Sequence, residues 1–119
     1  SIISPKMITA SHILQVVRGM QNSKGSVMNA LYKIADGRAE AMEFMVNETT
    51  HNLNIPLRDL RLKKGTLIAV LVRNGKIIIP DGSSVISSGD IVILISRNHG
   101  ILDINDIFED SLLDMGAAQ

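Results

Sequence analysis

A chain of 119 residues with 45% apolar side chains has the size of one compact domain with a buried core. Its twelve basic and twelve acidic side chains cancel, which removes the positive field that draws proteins to nucleic acid or to an anionic membrane surface, so no nucleic-acid partner is expected. Cysteine is absent, which excludes disulfides, thiolate zinc sites and a cysteine nucleophile and agrees with a cytoplasmic location.

Aliphatic residues dominate the apolar share, with Tyr32, Phe44 and Phe108 as the aromatics, so the core must rest on Ile, Leu, Val and Met. The longest apolar runs, residues 67–72 and 91–95, fall far short of the roughly 20 needed to span a bilayer. The sequence starts at Ser1 without the pattern of a signal peptide, as expected of a piece of a longer protein.

In chain order, Ser4 before Pro5 marks a helix start, and Ile13, Val16, Val17 and Met20 recur at helical spacing, which predicts a helix over residues 5–20. Residues 21–26 are polar, include Gly25 and read as a linker. Two segments, residues 27–34 and 39–46, flank the turn dipeptide Asp36-Gly37 and read as a hairpin. Helix competes there, because Ala39, Glu40, Ala41, Met42 and Glu43 all favour it intrinsically.

Pro56, Leu57, Leu60 and Leu62 predict one or two helical turns. Residues 66–73 and 76–80 are β-branched and aliphatic runs on either side of Asn74-Gly75, a strong hairpin signal. A loop punctuated by Asp81-Gly82 and Gly89-Asp90 leads to a strand over residues 91–96, and Ile104, Ile107, Phe108 and Leu112 predict a closing helix. This order describes an α+β fold: an antiparallel sheet of about four to five strands with helices packed against it, preceded by an N-terminal helix.

Chemistry is sparse. His12, His51 and His99 have no metal-ligand spacing, no Gly-x-Ser-x-Gly elbow occurs, and neither phosphate-binding glycine motif is present, so no catalytic residue and no metal site are assigned. Asp103, Asp106, Glu109, Asp110 and Asp114 read as the solvated face of the closing helix, with divalent-cation binding as the weaker option. Arg58, Arg61, Lys63 and Lys64 form a basic cluster that suits an anionic ligand, or simply solvent.

Residues 36–43 (Asp-Gly-Arg-Ala-Glu-Ala-Met-Glu), Ile55-Pro56-Leu57-Arg58-Asp59-Leu60, residues 68–75, Ile78-Ile79-Pro80-Asp81-Gly82 and Gly89-Asp90-Ile91-Val92 together resemble the TrkA C-terminal (RCK_C) domain family over roughly residues 36–108. The resemblance favours strand for residues 39–46. Ile3-Ser4-Pro5-Lys6, Thr9, His12-Ile13 and Val17-Arg18 resemble the last stretch of the nucleotide-binding (RCK_N) domain that precedes this module. It thus implies residues 1–25 as the end and linker of that upstream domain, and residues 26–119 as the regulatory domain.

What the resemblance further implies is a non-enzymatic regulator at the cytoplasmic side of a potassium transporter, assembled as a homodimer or ring. No cofactor is expected in this segment, and NAD or a related nucleotide belongs to the upstream domain. Family members bind small regulatory ligands, cyclic di-AMP among them, where two such domains pair. By position, Arg73, Asn74, Ile77, Ile78, Ile79 and Pro80 resemble the segment lining that cleft. There Arg73 suits a bidentate phosphate contact and Asn74 a hydrogen bond to a base. The plainer alternatives are a hairpin turn with core isoleucines, a dimerisation module without its own ligand, or the same domain on another ion transporter.

Overall fold

The structure is a computed structural model that describes residues 14–16 and 25–109. One antiparallel sheet organises the chain: β1 (Leu14–Val16), β2 (Ser26–Ile34), β3 (Ala39–Val46), β4 (Thr66–Arg73), β5 (Lys76–Ile78) and β6 (Ile91–Ser96). Their spatial order is β1-β2-β3-β6-β4-β5, so two hairpins flank β6, the last of the described strands.

Both hairpin turns follow from backbone chemistry. Between β2 and β3 the chain turns through Ala35, Asp36 and Gly37, whose φ values of 52°, 57° and 81° lie in the left-handed region that glycine and aspartate tolerate best. Between β4 and β5, Asn74 and Gly75 have φ of 52° and 77°, the paired positive values that a two-residue hairpin turn needs to match strand twist.

Alternation along the strands divides the side chains between two faces. Met28, Leu31, Met42, Phe44, Ile68, Leu71, Val92 and Leu94 build the main core, which Ile86, Ile101, Ile104 and Ile107 close from the loops. The opposite face carries a smaller cluster of Ala30, Tyr32 and Ala41, with Ile34, Ile93 and Ile95 packed against it. The register shifts at Asn29 in β2 and at Ala69 in β4, which keeps the apolar sets in phase on each face.

Several expected helices are corrected. Leu14–Val16, inside the segment predicted as a helix over residues 5–20, is a strand in register with Leu31, Tyr32 and Lys33; the rest of that segment lies outside the described residues. The same Ile-Leu-Gln-Val-Val run satisfies β-propensity, and pairing with β2 supplies hydrogen bonds that local spacing does not foresee. β2 to β6 are five antiparallel strands, as expected, and this short strand adds a sixth at the edge.

Of the one or two helical turns predicted around Leu57 the structure has one, the 3-10 turn Leu57–Asp59. The closing helix is a 3-10 turn, Ile104–Ile107, after which Phe108 is extended and bridges to Leu62; residues 110–119 lie outside the description. Backbone bonds from Lys63 to Ile107 (2.8 Å) and from Glu109 to Arg61 (2.7 Å) hold that segment extended. Non-local pairing therefore overrides the helical spacing of Ile104, Ile107 and Phe108. Among the described residues helix is limited to 3-10 turns, so the helices expected against the sheet are absent there.

The start of β2 is anchored. Asp103 Oδ1 accepts from the Gly25 amide and the Ser26 hydroxyl, each at 2.9 Å, and Ser26 Oγ in turn accepts from the Ile104 amide at 3.0 Å. Thr50 donates its hydroxyl to the Gly25 carbonyl, so three distant segments meet at one point.

Candidate functional site

The residues singled out in sequence sit on the β4–β5 hairpin at one edge of the sheet. Asn74 and Gly75 form its exposed turn, while Ile77 and Ile78 pair with Val72 and Leu71 respectively. Because Leu71 faces the main core, its partner Ile78 packs there too. Ile77 belongs to the other face and is 66% exposed, and Ile79, just beyond the strand, is 75% exposed. Leu67 on β4 adds a third large apolar side chain at 61%. The hairpin thus divides the isoleucines: Ile78 packs on the core, while Ile77 and Ile79 are exposed at a sheet edge.

Pro80 lines a groove that it shares with Leu67. With Asp81 and Gly82 it faces Leu57 and Arg58 across this shallow groove of about 320 Å³. Backbone bonds from Arg58 to the Gly82 carbonyl (3.0 Å) and from Leu57 to the Ser84 carbonyl (2.8 Å) fix the two walls. Asp81 Oδ1 accepts from the Ser83 hydroxyl (2.6 Å) and amide (2.8 Å). Those bonds hold the Asp81 carboxyl below its usual titration range, the hydroxyl contributing most.

Arg73 ends β4 and is already engaged. Its Nε reaches Asp90 Oδ1 at 2.9 Å, its Nη2 reaches Asp90 Oδ2 at 2.7 Å, and the same Nη2 donates to the Val85 carbonyl at 2.9 Å. Val72 pairs with Ile91, so Arg73 and Asp90 face each other one step beyond the ladder and staple the ends of β4 and β6. The Asp90 side chain is 1% exposed and that of Arg73 35%. Hydrogen bonding to Asp90 raises the Arg73 pKa above its ordinary value, and the guanidinium stays charged throughout.

Asp90 Oδ2 also accepts from the Ser87 amide at 2.8 Å, so the carboxylate organises the turn before β6 as well. Sequence reasoning missed Asp90. The Gly89-Asp90 dipeptide reads as a turn, and its arginine partner is 17 positions away on a strand whose neighbour cannot be read locally.

The other marked residues serve the fold. Asp103 and Asp106 form a reciprocal capping box over Ile104–Ile107 rather than a helix face, while Glu109 is exposed in an extended segment, and Asp110 and Asp114 lie outside the described residues. His99 Nδ1 stands 3.3 Å from Oε2 of the buried Glu40, His51 is exposed, and His12 lies outside the description. Arg58, Arg61, Lys63 and Lys64 are spread over a turn and the approach to β4 with exposed side chains. Among the described residues no helix is long and apolar enough to cross a membrane.

The family model of the TrkA-C domain matches residues 41–109. The Trk system potassium uptake protein TrkA of Azorhizobium caulinodans is 34% identical over 110 residues, covering 92% of this chain and 23% of the relative. That of Haemophilus influenzae is 34% identical over 113 residues, with coverage of 92% and 23%. A TrkA homolog from Pyrococcus abyssi is 36% identical over 72 residues, covering 60% of this chain and 32% of its own length. The chain therefore spans about a quarter to a third of these relatives.

Proposed function

The chain belongs to the TrkA-C domain family, and on that premise we propose that it is the regulatory domain of a TrkA-type potassium uptake protein, working by sensing a small ligand where two copies pair. Residues 26–119 form the regulatory unit, and residues 1–25 are the end of a preceding nucleotide-binding domain that takes NAD or a related nucleotide. The protein acts at the cytoplasmic side of a membrane potassium transporter. Ligand binding biases the arrangement of paired domains and thereby transport, which requires the ligand to bind the two arrangements with different affinity.

One observation carries this reading: Leu67 on β4, Ile77 on β5 and Ile79 just after it are large apolar side chains left exposed, 61%, 66% and 75% respectively. Apolar side chains so placed gain by association, at roughly 25 cal/mol for each Å² removed from water. A cleft between two such hairpins offers apolar walls and, along the outer side of β5, backbone groups able to meet a base edge. Cyclic di-AMP, with two adenines and two phosphates, is the ligand proposed.

Sedimentation of the 119-residue chain and of Ile77→Lys/Ile79→Lys tests the pairing, and isothermal titration with cyclic di-AMP tests the ligand. Association that survives the double substitution removes the surface from consideration. A titration without heat at high micromolar cyclic di-AMP removes that ligand. A second reading, a module that only assembles, is favoured by the Arg73 guanidinium being engaged by Asp90 and the Val85 carbonyl. Association without any ligand response would establish it.

A further inference from the structure

A guanidinium at a hairpin end invites assignment as an anion receptor, yet the geometry at Arg73 gives it another task. Both oxygens of Asp90 are held by the fork, at 2.9 and 2.7 Å, and the Val85 carbonyl takes a further bond at 2.9 Å. The Asp90 carboxylate is buried and is also bonded by the Ser87 amide. An incoming phosphate that took the fork would leave a buried carboxylate without its countercharge, one of the least favourable states in a protein interior.

We propose that Arg73 and Asp90 are a pair of positioning residues: together they set the stance of the hairpin that carries Asn74, Ile77 and Ile79, and Arg73 itself does not receive the ligand's anionic group. This rests on the reading of that hairpin as a receptor surface. The placement supports it. Arg73 is the last residue of β4, immediately before the Asn74-Gly75 turn, and Asp90 immediately precedes β6. The Asp90 carbonyl accepts from the Val46 amide at 2.9 Å and the Gly89 amide donates to the Val46 carbonyl at 2.9 Å, which ties the same corner to the end of β3. The hairpin's direction is thus fixed relative to β6 by one planar, two-pronged contact, and through the backbone bonds of Gly89 and Asp90 relative to the end of β3. A lysine, a single point charge, cannot reproduce it.

The test compares the 119-residue chain with Arg73→Gln, Arg73→Lys, Asp90→Asn and the Arg73→Gln/Asp90→Asn double variant, by amide hydrogen exchange in NMR and by titration with cyclic di-AMP. Positioning predicts that each single variant, Arg73→Lys included, speeds exchange at Ser87, Gly89 and Asp90 by about tenfold or more. Amides of the β2–β3 ladder should change by less than about twofold, and the double variant should be no worse than either single one, as two halves of one contact require. Uniform acceleration across the sheet would mean general loss of stability, and unchanged exchange would mean no role; either overturns the proposal. In the titration, Arg73→Gln and Asp90→Asn should weaken binding by similar factors. Tighter binding in Asp90→Asn together with loss in Arg73→Gln would show that Arg73 is a receptor masked by Asp90, and would also overturn it. If none of the proteins gives heat, the proposed ligand fails and the exchange data alone decide the positioning claim.

Discussion

Ser26 and Asp103 are 77 positions apart in sequence and share a hydrogen bond of 2.9 Å, with the serine hydroxyl donating to the carboxylate. The same hydroxyl oxygen accepts from the Ile104 amide, so one buried atom group joins the first residue of β2 to the turn that closes the core. Ser26→Ala removes both links and leaves a backbone amide unsatisfied in the interior. The expected cost is about 1–3 kcal/mol in urea unfolding. A variant as stable as the parent would show that water replaces the hydroxyl.

Gly75 has open space around it, so a β-carbon there meets nothing within 4 Å and any penalty is purely one of backbone conformation. At φ of 77° an alanine is strained, and Gly75→Ala should lower stability by about 1–2 kcal/mol. Asn74→Gly, at φ of 52°, should be close to neutral, since asparagine already tolerates the left-handed region. Thermal unfolding of the two variants side by side separates strain from contact loss; equal effects would contradict the assignment.

Much of the fold is legible wherever it is local. Asn74-Gly75 announces its hairpin, the run over residues 91–96 announces β6, and Asp36-Gly37 announces the β2–β3 turn. What local sequence hides is who pairs with whom. The strand at Leu14–Val16 exists because β2 offers it an edge, and the extended stretch at Phe108 exists because Leu62 stands opposite. Likewise the carboxylates of Asp103 and Asp106 look like a solvated helix face until the backbone amides they cap are in view. The candidate surface follows the same division. Its hairpin is readable, but Asp90, which holds Arg73, is not.

Phe44 is fully buried at the middle of the main core and pairs across the sheet with Met28 on one side and Val92 on the other. Phe44→Ala opens a void between the two hairpins and should cost about 3–5 kcal/mol. The urea midpoint should fall while the slope stays constant. A loss below 1 kcal/mol would mean that the neighbouring methionines collapse into the space, as their flexible side chains permit.

Asp81 offers a titration test. Its carboxyl is held below the usual aspartate value by the Ser83 hydroxyl and amide, with Ser84 adding less. A depressed folded value means that the contribution to stability is present above the unfolded value and is lost as pH falls through the folded one. NMR titration of the Asp81 carboxyl carbon should give a midpoint lower than that of an aspartate in a short peptide, and Ser83→Ala should move it upward. An unshifted midpoint in the parent chain would show that the Asp81–Ser83 turn is not maintained in solution.

The placement of β6 between β3 and β4 governs how this domain can come into being. Residues 91–96 are the last of the described strands in chain order, and until they are in place the two earlier hairpins have no hydrogen-bonded strand in common. Their joining waits on contacts of long sequence separation, the kind that form slowly and leave apolar edges open in the meantime. A chain ending before Ile91 would therefore lack the strand through which β3 and β4 are joined, leaving the two hairpins without a common hydrogen-bonded partner.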